Sequence, residues 1–375
     1  MQATNKKKSI LRFLWYLILS LNIIAILILF LSALAWKVSP VKTTIFAYLG
    51  LGYIIILIVN IIFLLFWLIM TKWKYALVSF VSLLICINPT LTYFPLHTKT
   101  KTVPDDCIKV LSYNVRGFNW HKYKKADENE TLLYIQKSGA DIVCIQEYLA
   151  LDYNKNTGTK KIKEILKDYP YYSYIKLNSI YNSGNSHYGI ACFSKYPILS
   201  TEQIPIDTRE NAGAVMYKIK IKDKIISVFN NHLESNRLTS EDRKLYIKLV
   251  KDRDRQVLDD AAQNLRRRLG AAYIKRAPQA NLVNNWINEQ KTDGVIVCGD
   301  FNDTPISYTY KTVKGELKDS FAETGFGAGI TYHENYFWFR IDFIMHSKNM
   351  KAYNCTVDKV TYSDHYPLWT YLKFE

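Results

Sequence analysis

The first 96 residues restrict the fold of this chain most, because they contain no aspartate and no glutamate. Three stretches without a charged residue fill most of this segment, at 13–36, 45–70 and 75–96. A helix of roughly 20 apolar residues crosses about 30 Å of lipid hydrocarbon, and each stretch reaches that length. We therefore predict that residues 1–96 form a membrane anchor with three transmembrane helices.

The third stretch leaves an alternative open, since Asn88 and Pro89 lie inside it and Ser79 and Ser82 precede them. It either crosses the bilayer or enters and leaves on one side as a re-entrant segment. For the first two stretches the alternative is a buried helix of a soluble core. A cleaved signal peptide has one shorter apolar region and no second span, so we do not predict one.

Basic residues around the apolar stretches predict the orientation of the anchor. Lys6–Lys8 and Arg12 favour a cytoplasmic N-terminus, and Lys72 and Lys74 favour a cytoplasmic second loop. Lys37 and Lys42 in the first loop oppose this, but they are fewer than the four basic residues of the N-terminus. With three spans, residues 97–375 lie outside the cytoplasm; with a re-entrant third stretch, they lie inside. We predict a multi-pass protein of the cell membrane whose globular part is extracytoplasmic, periplasmic or at the outer face.

The positive charge is divided between the two parts of the chain. Residues 1–96 carry eight basic residues, so half of the formal net charge of +16 belongs to the anchor. Residues 97–375 retain 41 basic and 33 acidic residues, a net charge of +8. This excess suits a polyanionic partner, but less strongly than the charge of the whole chain suggests.

The cysteines indicate neither a zinc site nor a disulfide framework. Five of them lie in the globular part, and the chain contains no Cys-x-x-Cys. Cys144, Cys192 and Cys298 lie inside apolar, strand-like runs, where a free thiol behaves as a small hydrophobic group. We expect these three in the core.

After a linker at 97–107, residues 108–375 alternate between strand and helix patterns and are long enough for one large domain. Mixed strands and helices with hairpin-like neighbours predict two packed sheets flanked by helices. The predicted strands are 108–113, 142–146, 171–177, 188–193, 215–221, 224–230, 295–298, 341–345 and 368–372. The predicted helices are 130–138, 160–167, 239–268 and 279–290.

Polar side chains follow several of these strands where each strand ends. Asn114 and Glu147 end the first two strands, His232 follows a later one, and Asp300 and Asn302 follow a buried run. Ser-Asp-His-Tyr-Pro at 363–367 precedes the last strand. Imidazole moves protons near neutral pH, and carboxylate and amide oxygens bind Mg²⁺ or orient a phosphate. The pattern predicts phosphodiester cleavage on a divalent cation.

These segments resemble the endonuclease/exonuclease/phosphatase superfamily, which includes DNase I. The matching motifs are Tyr-Asn-Val-Arg 113–116, Gln-Glu 146–147, Tyr-Gly-Ile-Ala 188–191, Asn-His-Leu 231–233, Gly-Asp-Phe-Asn 299–302, Arg-Ile-Asp-Phe-Ile 340–344 and Ser-Asp-His-Tyr-Pro 363–367. They run in the order of that superfamily over about 260 residues. The resemblance implies a DNase I-like four-layer α/β sandwich over 108–375, a hydrolase, with the anchor outside it.

The resemblance also implies a metal site and a water-activating site. Asn114 and Glu147 would hold Mg²⁺, with Mn²⁺ as the alternative cation, and Asp364 would lie close by. Asp300 would orient the attacking water, and Asn302 would bind the scissile phosphate.

Two imidazoles complete the implied catalytic set. His365 would act as general base or as a phosphate-binding group, oriented by Asp342. His232 and Tyr188 would contact phosphate oxygens and stabilise the transition state.

The substrate class stays open at this stage. Arg266, Arg267 and Arg268 stand together in a predicted helix, where they either form part of a solvated face or bind phosphates or an anionic membrane surface. We favour an extracytoplasmic endonuclease or exonuclease acting on nucleic acid. The alternatives are a phospholipid or sphingomyelin phosphodiesterase, an inositol-phosphate phosphatase, or a non-catalytic membrane scaffold. We predict the lipid bilayer as a further partner, and no protein partner.

Overall fold

The computed structural model describes residues 2–123, 125–177, 185–207, 211–236, 255–334 and 337–375. The chain divides into two compact units. The first contains Met1–Thr92 with Ile306–Tyr308, and the second contains Tyr93–Pro305 with Thr309–Glu375.

The first unit is helical. Its helices are α1 (Gln2–Ala33), α2 (Ile45–Leu51), α3 (Tyr53–Ile69), α4 (Trp73–Ile85) and α5 (Ile87–Tyr93). Among the described residues, Arg12–Ala33 of α1 is the one helix that is long and apolar enough to cross a membrane. The predicted second and third stretches are each bent, by 65° between α2 and α3 and by 59° between α4 and α5, so the number of spans rises to three if each bent pair counts as one span.

Buried polar contacts join the helices of this unit. Oδ1 of Asn22 in α1 accepts hydrogen bonds from Nε1 of Trp67 in α3 at 2.8 Å and from Oγ of Ser79 in α4 at 3.1 Å. Nδ2 of Asn60 donates to the carbonyl oxygen of Ala25 at 3.1 Å. Hydrogen bonds of this kind hold apolar helices together where the hydrophobic effect between them is weak. They pack α1 against α3 and α4.

The second unit contains two six-stranded sheets, counted over the residues that the structure describes. The first sheet has the order β11–β12–β1–β2–β4–β3 and the second has the order β5–β6–β7–β8–β10–β9. The strands of the first sheet are β1 (Ile108–Asn114), β2 (Ile142–Leu151), β3 (Tyr171–Lys176), β4 (Ser186–Ser194), β11 (Met350–Val357) and β12 (Leu368–Phe374). Those of the second are β5 (Ile198–Ile204), β6 (Gly213–Ile221), β7 (Lys224–His232), β8 (Gly294–Asp300), β9 (Lys318–Asp319) and β10 (Asp342–His346).

Helices cover the outer face of each sheet. Helices α6 (Glu130–Lys137) and α7 (Thr159–Ile165) pack on the first sheet, and α8 (Arg255–Asn288) and α9 (Tyr308–Lys314) pack on the second. A short helix, α10 (Ser320–Thr324), follows β9. The layers are therefore helix, sheet, sheet and helix, as in the predicted four-layer sandwich.

The core between the sheets follows from the alternation of side chains along each strand. In β2, Ile142 and Cys144 face the other sheet, whereas Val143 and Ile145 face the helices. Cys144, Cys192 and Cys298 are buried together in the layer between the sheets, which confirms their predicted place in the core.

Some elements differ from their predicted form. Strands β5, β9 and β11 were not predicted, because β5 and β11 are partly exposed and carry polar residues on both faces, and β9 has two residues. The helices predicted at 239–268 and 279–290 are one helix, α8, which continues through Pro278. The predicted portion at 239–254 lies outside the described residues.

Candidate active site

Two parallel strand pairs, one in each sheet, deliver the predicted polar residues to the same edge of the sandwich. In the first sheet β1 runs parallel to β2, with Asn114 beside Gln146. In the second, β7 runs parallel to β8, with His232 beside Asp300. Because the carboxyl ends of parallel strands meet at one edge, four predicted site residues lie there: Asn114, Glu147, His232 and Asp300.

The amide of Asn114 joins the two sheets at this edge. Its Nδ2 donates to Oε1 of Glu147 and to Oδ2 of Asp300, both at 3.1 Å. Nε2 of His232 lies 3.6 Å from Oε1 of Glu147 and 3.9 Å from Oδ2 of Asp300. The four side chains form one contact network.

Local backbone irregularities aim two of these carboxylates. The pairing of β2 with β4 shifts between Ile145 and Tyr148, and Glu147 inside this bulge has a φ of +53°. A bulge turns a side chain away from the regular alternation of the strand. Gly299, just before Asp300, has a φ of +131°, and a Cβ there would lie 2.0 Å from the carbonyl oxygen of Asn231. Only glycine fits at this position.

A second network lies around the imidazole of His365. Nδ1 of His365 lies 2.8 Å from Oδ2 of Asp342, and its Nε2 lies 3.7 Å from Oδ2 of Asp300. Potential ligand atoms of the three residues lie within 4.8 Å of one another. Oδ1 of Asp342 is buried and has no hydrogen-bond partner in the described part of the chain.

Burial and charge change the proton affinities of this network. Burial, followed by the nearby Asp342 carboxylate, raises the pKa of Asp300 to about 6. Burial alone lowers the pKa of His365, but the Asp342 and Asp300 carboxylates outweigh it and raise that pKa to about 10.

The loop before β12 is fixed to the end of β1. Oγ of Ser363 donates to the carbonyl oxygen of Asn114 at 2.8 Å. Oδ2 of Asp364 lies 3.6 Å from Nη1 of Arg116. Asp364, which was predicted to lie close to the metal, therefore lies near Asn114. It is not a member of the close group formed by Asp300, Asp342 and His365.

Asn302 lies in the loop after β8 with a φ of +54°. Its backbone N–H donates to Oδ1 of Asp300 at 2.8 Å, and its Nδ2 donates to the carbonyl oxygen of Leu233 at 3.0 Å. The loop therefore brings Asn302 into contact with Asp300 at the end of β8 and with Leu233, which follows β7.

The remaining predicted residues lie further from these contacts. Tyr188 is buried in β4 opposite Leu149, two residues beyond Glu147 along β2. Arg266 and Arg267 are exposed on α8, and Arg268 is half-buried. At 1.5 Å per residue, Arg268 precedes Arg276 by about 12 Å along the helix. Phosphate binding by this arginine run stays a prediction.

Sequence reasoning did not identify Arg276, which lies in α8 and is fully buried. Its Nη1 donates to the carbonyl oxygen of Asn302, and its Nη2 donates to Oδ1 of Asn236 at 2.9 Å. The residue was visible only as one of many basic residues in a helical region, with no local motif to distinguish it.

Sequence reasoning also missed a left-handed turn after β1. Arg116, Gly117, Phe118 and Asn119 have φ values of +47°, +59°, +56° and +50°. Each residue other than glycine in this region carries about 1–3 kcal/mol of strain. Nδ2 of Asn119 holds the turn by donating to the carbonyl oxygen of Tyr362 at 2.7 Å. The turn lets the backbone N–H of Arg116 donate to Oδ1 of the Asn114 side chain at 3.1 Å and so orients that amide.

Two family models match the chain. The Endonuclease/Exonuclease/phosphatase family matches residues 111–365, and a domain of unknown function matches residues 14–93. No curated protein matches the chain.

Solved structures of low sequence identity share the fold of the second unit. An endonuclease/exonuclease/phosphatase from Beutenbergia cavernae is 14% identical with a TM-score of 0.51, and the match covers 72% of each chain. Family proteins from Bacteroides thetaiotaomicron and Bacteroides vulgatus are 19% and 18% identical, each with a TM-score of 0.50. Those matches cover 72% of this chain and 98% and 99% of the other chains.

Members of this family are phosphoester hydrolases, and they generally depend on a divalent metal. The family match spans the motifs at both ends of the site, from β1 to His365. The chain therefore belongs to the endonuclease/exonuclease/phosphatase family and is a phosphoester hydrolase with a DNase I-like fold.

Proposed function

We propose that this chain is a membrane-anchored, Mg²⁺-dependent phosphodiesterase that cleaves nucleic acid outside the cytoplasm. The observation that carries the proposal is the contact of Asn114 with both Glu147 and Asp300 across the two sheets. It gathers carboxylate, amide and imidazole groups at one edge of the sandwich.

The donor set suits a hard divalent cation. Glu147, Asp364 and Asn114 offer carboxylate and amide oxygens, which Mg²⁺ and Mn²⁺ prefer. Several carboxylates share this largely buried edge, and such a concentration of negative charge favours a bound cation. When bound, the cation supplies Lewis-acid stabilisation of the charge that develops on the phosphate.

The other residues act on the water and on the phosphate. Asp300, held by the backbone N–H of Asn302, orients the attacking water and accepts its proton. Asn302 and His232 of the second sheet donate hydrogen bonds to the phosphate oxygens, and the hydroxyl of Tyr188 in the first sheet is a further donor. These fixed donors stabilise charge in the transition state.

The contact between His365 and Asp342 favours one of the two roles considered for the imidazole. A carboxylate 2.8 Å from Nδ1 stabilises the protonated ring. An imidazolium binds and neutralises a phosphate oxygen better than it removes a proton from water. We therefore assign His365 to phosphate binding and charge stabilisation, and Asp300 to the water.

Nucleic acid is the favoured substrate because of the charge on the globular part. Residues 97–375 carry a net charge of +8, and Arg266 and Arg267 are exposed. Cationic side chains that neutralise phosphates displace counterions, so binding weakens steeply with salt. The exposed aromatic Trp338 and the apolar anchor would instead suit a phospholipid or inositol-phosphate substrate, which is the second candidate.

A substrate panel tests this choice. The full chain is assayed on DNA, RNA, sphingomyelin and phosphoinositides, first with Mg²⁺ and then with EDTA. Turnover of DNA or RNA supports the nuclease, and turnover of lipid alone supports the second candidate. No Mg²⁺-dependent turnover on any phosphoester contradicts the enzyme and favours a non-catalytic scaffold.

An arginine-run variant refines the test. Replacing Arg266–Arg268 with glutamine should weaken polynucleotide cleavage and flatten its salt dependence, leaving a small phosphodiester unaffected. The matched control replaces Lys220, Lys222 and Lys224 with glutamine. Lys220 lies in β6, Lys222 in the turn after it and Lys224 at the start of β7. This end of the hairpin is about 26 Å from His232 along β7, so these lysines should matter little.

The anchor is proposed to be a multi-pass bundle with the globular unit outside the cytoplasm. The hydrogen bonds from Trp67 and Ser79 to Asn22 support packing of all three apolar segments in one bundle. The basic cluster Lys6–Lys8 supports a cytoplasmic N-terminus. Protease digestion of a C-terminal tag in spheroplasts, in which the outer face of the cytoplasmic membrane is open to the protease, tests the orientation: an accessible tag agrees with the proposal, and a protected tag contradicts it.

A further inference from the structure

We propose that Arg276 is a positioning residue for hydrolysis, which holds the loop carrying Asn302 against Asp300. The inference rests on the proposed function of the Asp300 and Asn302 loop and adds a residue outside every family motif. Arg276 lies in α8, in the long connection between β7 and β8.

The guanidinium of Arg276 is enclosed and faces oxygen atoms of two loops. The side chain is 0% exposed. Its Nη1 donates to the carbonyl oxygen of Asn302, its Nη2 donates to Oδ1 of Asn236 at 2.9 Å, and its Nε lies 3.7 Å from Oδ2 of Asp303. The ring of Tyr273 lies 5.2 Å from the guanidinium carbon. A buried cation of this kind persists only when its partners are in place.

The hydrogen bond from Arg276 holds the backbone of Asn302 in a left-handed conformation. Asn302 has a φ of +54°, a left-handed conformation that is uncommon for residues other than glycine, although asparagine adopts it more readily than most. The same residue contacts Oδ1 of Asp300 through its backbone N–H and the carbonyl oxygen of Leu233 through its side chain. By holding the carbonyl of Asn302, Arg276 sets the direction of the residue that binds phosphate.

The same helical turn also holds the loop after β7. Oε1 of Gln279 accepts a hydrogen bond from the backbone N–H of Glu234 at 2.9 Å. Through Asn236, Arg276 reaches this loop as well. One turn of α8 therefore joins the two loops that follow His232 and Asp300.

Arginine suits this position better than lysine. Its planar fork carries five donors, and two of its nitrogens contact different loops here. A lysine ammonium is a single point of charge that cannot reproduce both contacts with the same geometry.

The test compares Arg276→Gln, Arg276→Lys and Lys291→Gln in the full chain, with bis(p-nitrophenyl) phosphate and Mg²⁺. A displacement of about 1 Å in a phosphate-binding group lowers the rate about 100-fold, so we expect kcat of Arg276→Gln to fall by that order with KM within about threefold. Arg276→Lys should recover part of the loss. Lys291 is exposed and lies just after the last residue of α8, so Lys291→Gln should keep the wild-type kcat.

A double-mutant cycle with Asn302→Ala separates positioning from a merely structural role. If Arg276 acts through Asn302, Arg276→Gln lowers kcat no further once Asn302 is alanine. If the two substitutions instead lower kcat independently, so that their fold-losses multiply in the double variant, the proposal is overturned.

Asn236→Ala covers the case in which Arg276 variants do not fold. It removes one partner of the guanidinium at a half-buried site and should lower kcat severalfold in a protein that still folds, with a lower melting temperature. An unchanged kcat in a folded Asn236→Ala protein would overturn the proposal. Inactive wild-type protein would instead contradict the proposed function, so the two failures are distinct.

Discussion

Nδ1 of His365 lies 2.8 Å from Oδ2 of Asp342, and both side chains are almost completely buried. Asp342 begins β10 of the second sheet, and His365 lies in the loop that leads into β12 of the first. The pair therefore joins the two sheets at the site, next to Asp300. The resemblance to the endonuclease/exonuclease/phosphatase superfamily implied this contact.

Replacing Asp342 with asparagine should remove the negative charge that orients the His365 imidazole and stabilises its protonated form. Loss of a positioned acid–base or phosphate-binding group lowers rates by about 10²–10⁴-fold, so we expect a fall in kcat of that order. The measurement is the kcat for a small phosphodiester. The control is Asp358→Asn, since Asp358 accepts hydrogen bonds from Tyr134 and Trp369 away from the site and should leave kcat unchanged. Equal losses in both variants would refute the special role of Asp342.

The stability of the metal-free protein should fall as pH rises, for two reasons. The folded pKa of His365 is about 10, above its ordinary 6.5, so its contribution is complete below pH 6.5 and is lost as pH rises through 10. The folded pKa of Asp300 is about 6, above its ordinary 3.8, so its contribution is complete below pH 3.8 and is lost as pH rises through 6.

Urea unfolding in EDTA from pH 4 to pH 10 measures this dependence. His365→Asn should remove the decline between pH 6.5 and pH 10 and keep a decline at lower pH. A variant with the same slope as wild type above pH 6.5 would show that His365 is not the titrating group.

Gly117→Ala should destabilise the left-handed turn that orients Asn114. Gly117 has a φ of +59°, and an added Cβ would lie 3.2 Å from a methyl carbon of Leu149. Gly139 has a similar φ of +67° with no atom within 4 Å of the added Cβ, so Gly139→Ala is the matched control. We expect about 1 kcal/mol of destabilisation from the backbone term in both, and a larger effect at Gly117. Urea midpoints of the two variants compare them, and equal midpoints would rule out a steric contribution at Gly117.

Glu147→Gln and Asn114→Ala should weaken binding of Mg²⁺. A ligand that binds only the folded state raises its melting temperature according to its concentration and affinity. Wild type should therefore melt at higher temperature as Mg²⁺ increases, and the two variants should need more Mg²⁺ for the same rise. Glu316→Gln, at an exposed ion pair with Lys348, should titrate like wild type. Identical titrations for all four proteins would argue against a metal site at Glu147.

The sequence predicts those site residues that lie at the end of a strand or directly after it. Asn114, His232 and Asp300 each end an apolar run. In the fold, β1 pairs in parallel with β2 in the first sheet, and β7 pairs in parallel with β8 in the second. Contacts that depend on packing of distant segments were not predictable. Arg276 lies 26 positions before Asn302, and only the path of α8 over the second sheet brings them together.

The same limit applies to backbone conformation. The bulge that turns Glu147 toward Asn114 depends on how β2 pairs with β4, and β4 is about 40 residues away. In the left-handed turn, Gly117 is the single local hint, and the hydrogen bond of Asn119 to Tyr362 that holds it spans most of the second unit. The bends in the apolar segments after α1 were likewise not evident from hydropathy, although Gly52 lies at the first of them.

The measurement that tests the central claim most directly is hydrolysis of bis(p-nitrophenyl) phosphate by the full chain and by its Asp300→Asn variant. Both are purified under the same conditions and assayed with Mg²⁺ and with EDTA. We predict turnover by wild type that requires Mg²⁺ and is lost in EDTA, and a variant that folds with a rate lower by at least about 10²-fold. Turnover that survives EDTA, or a folded Asp300→Asn protein as active as wild type, would contradict the account.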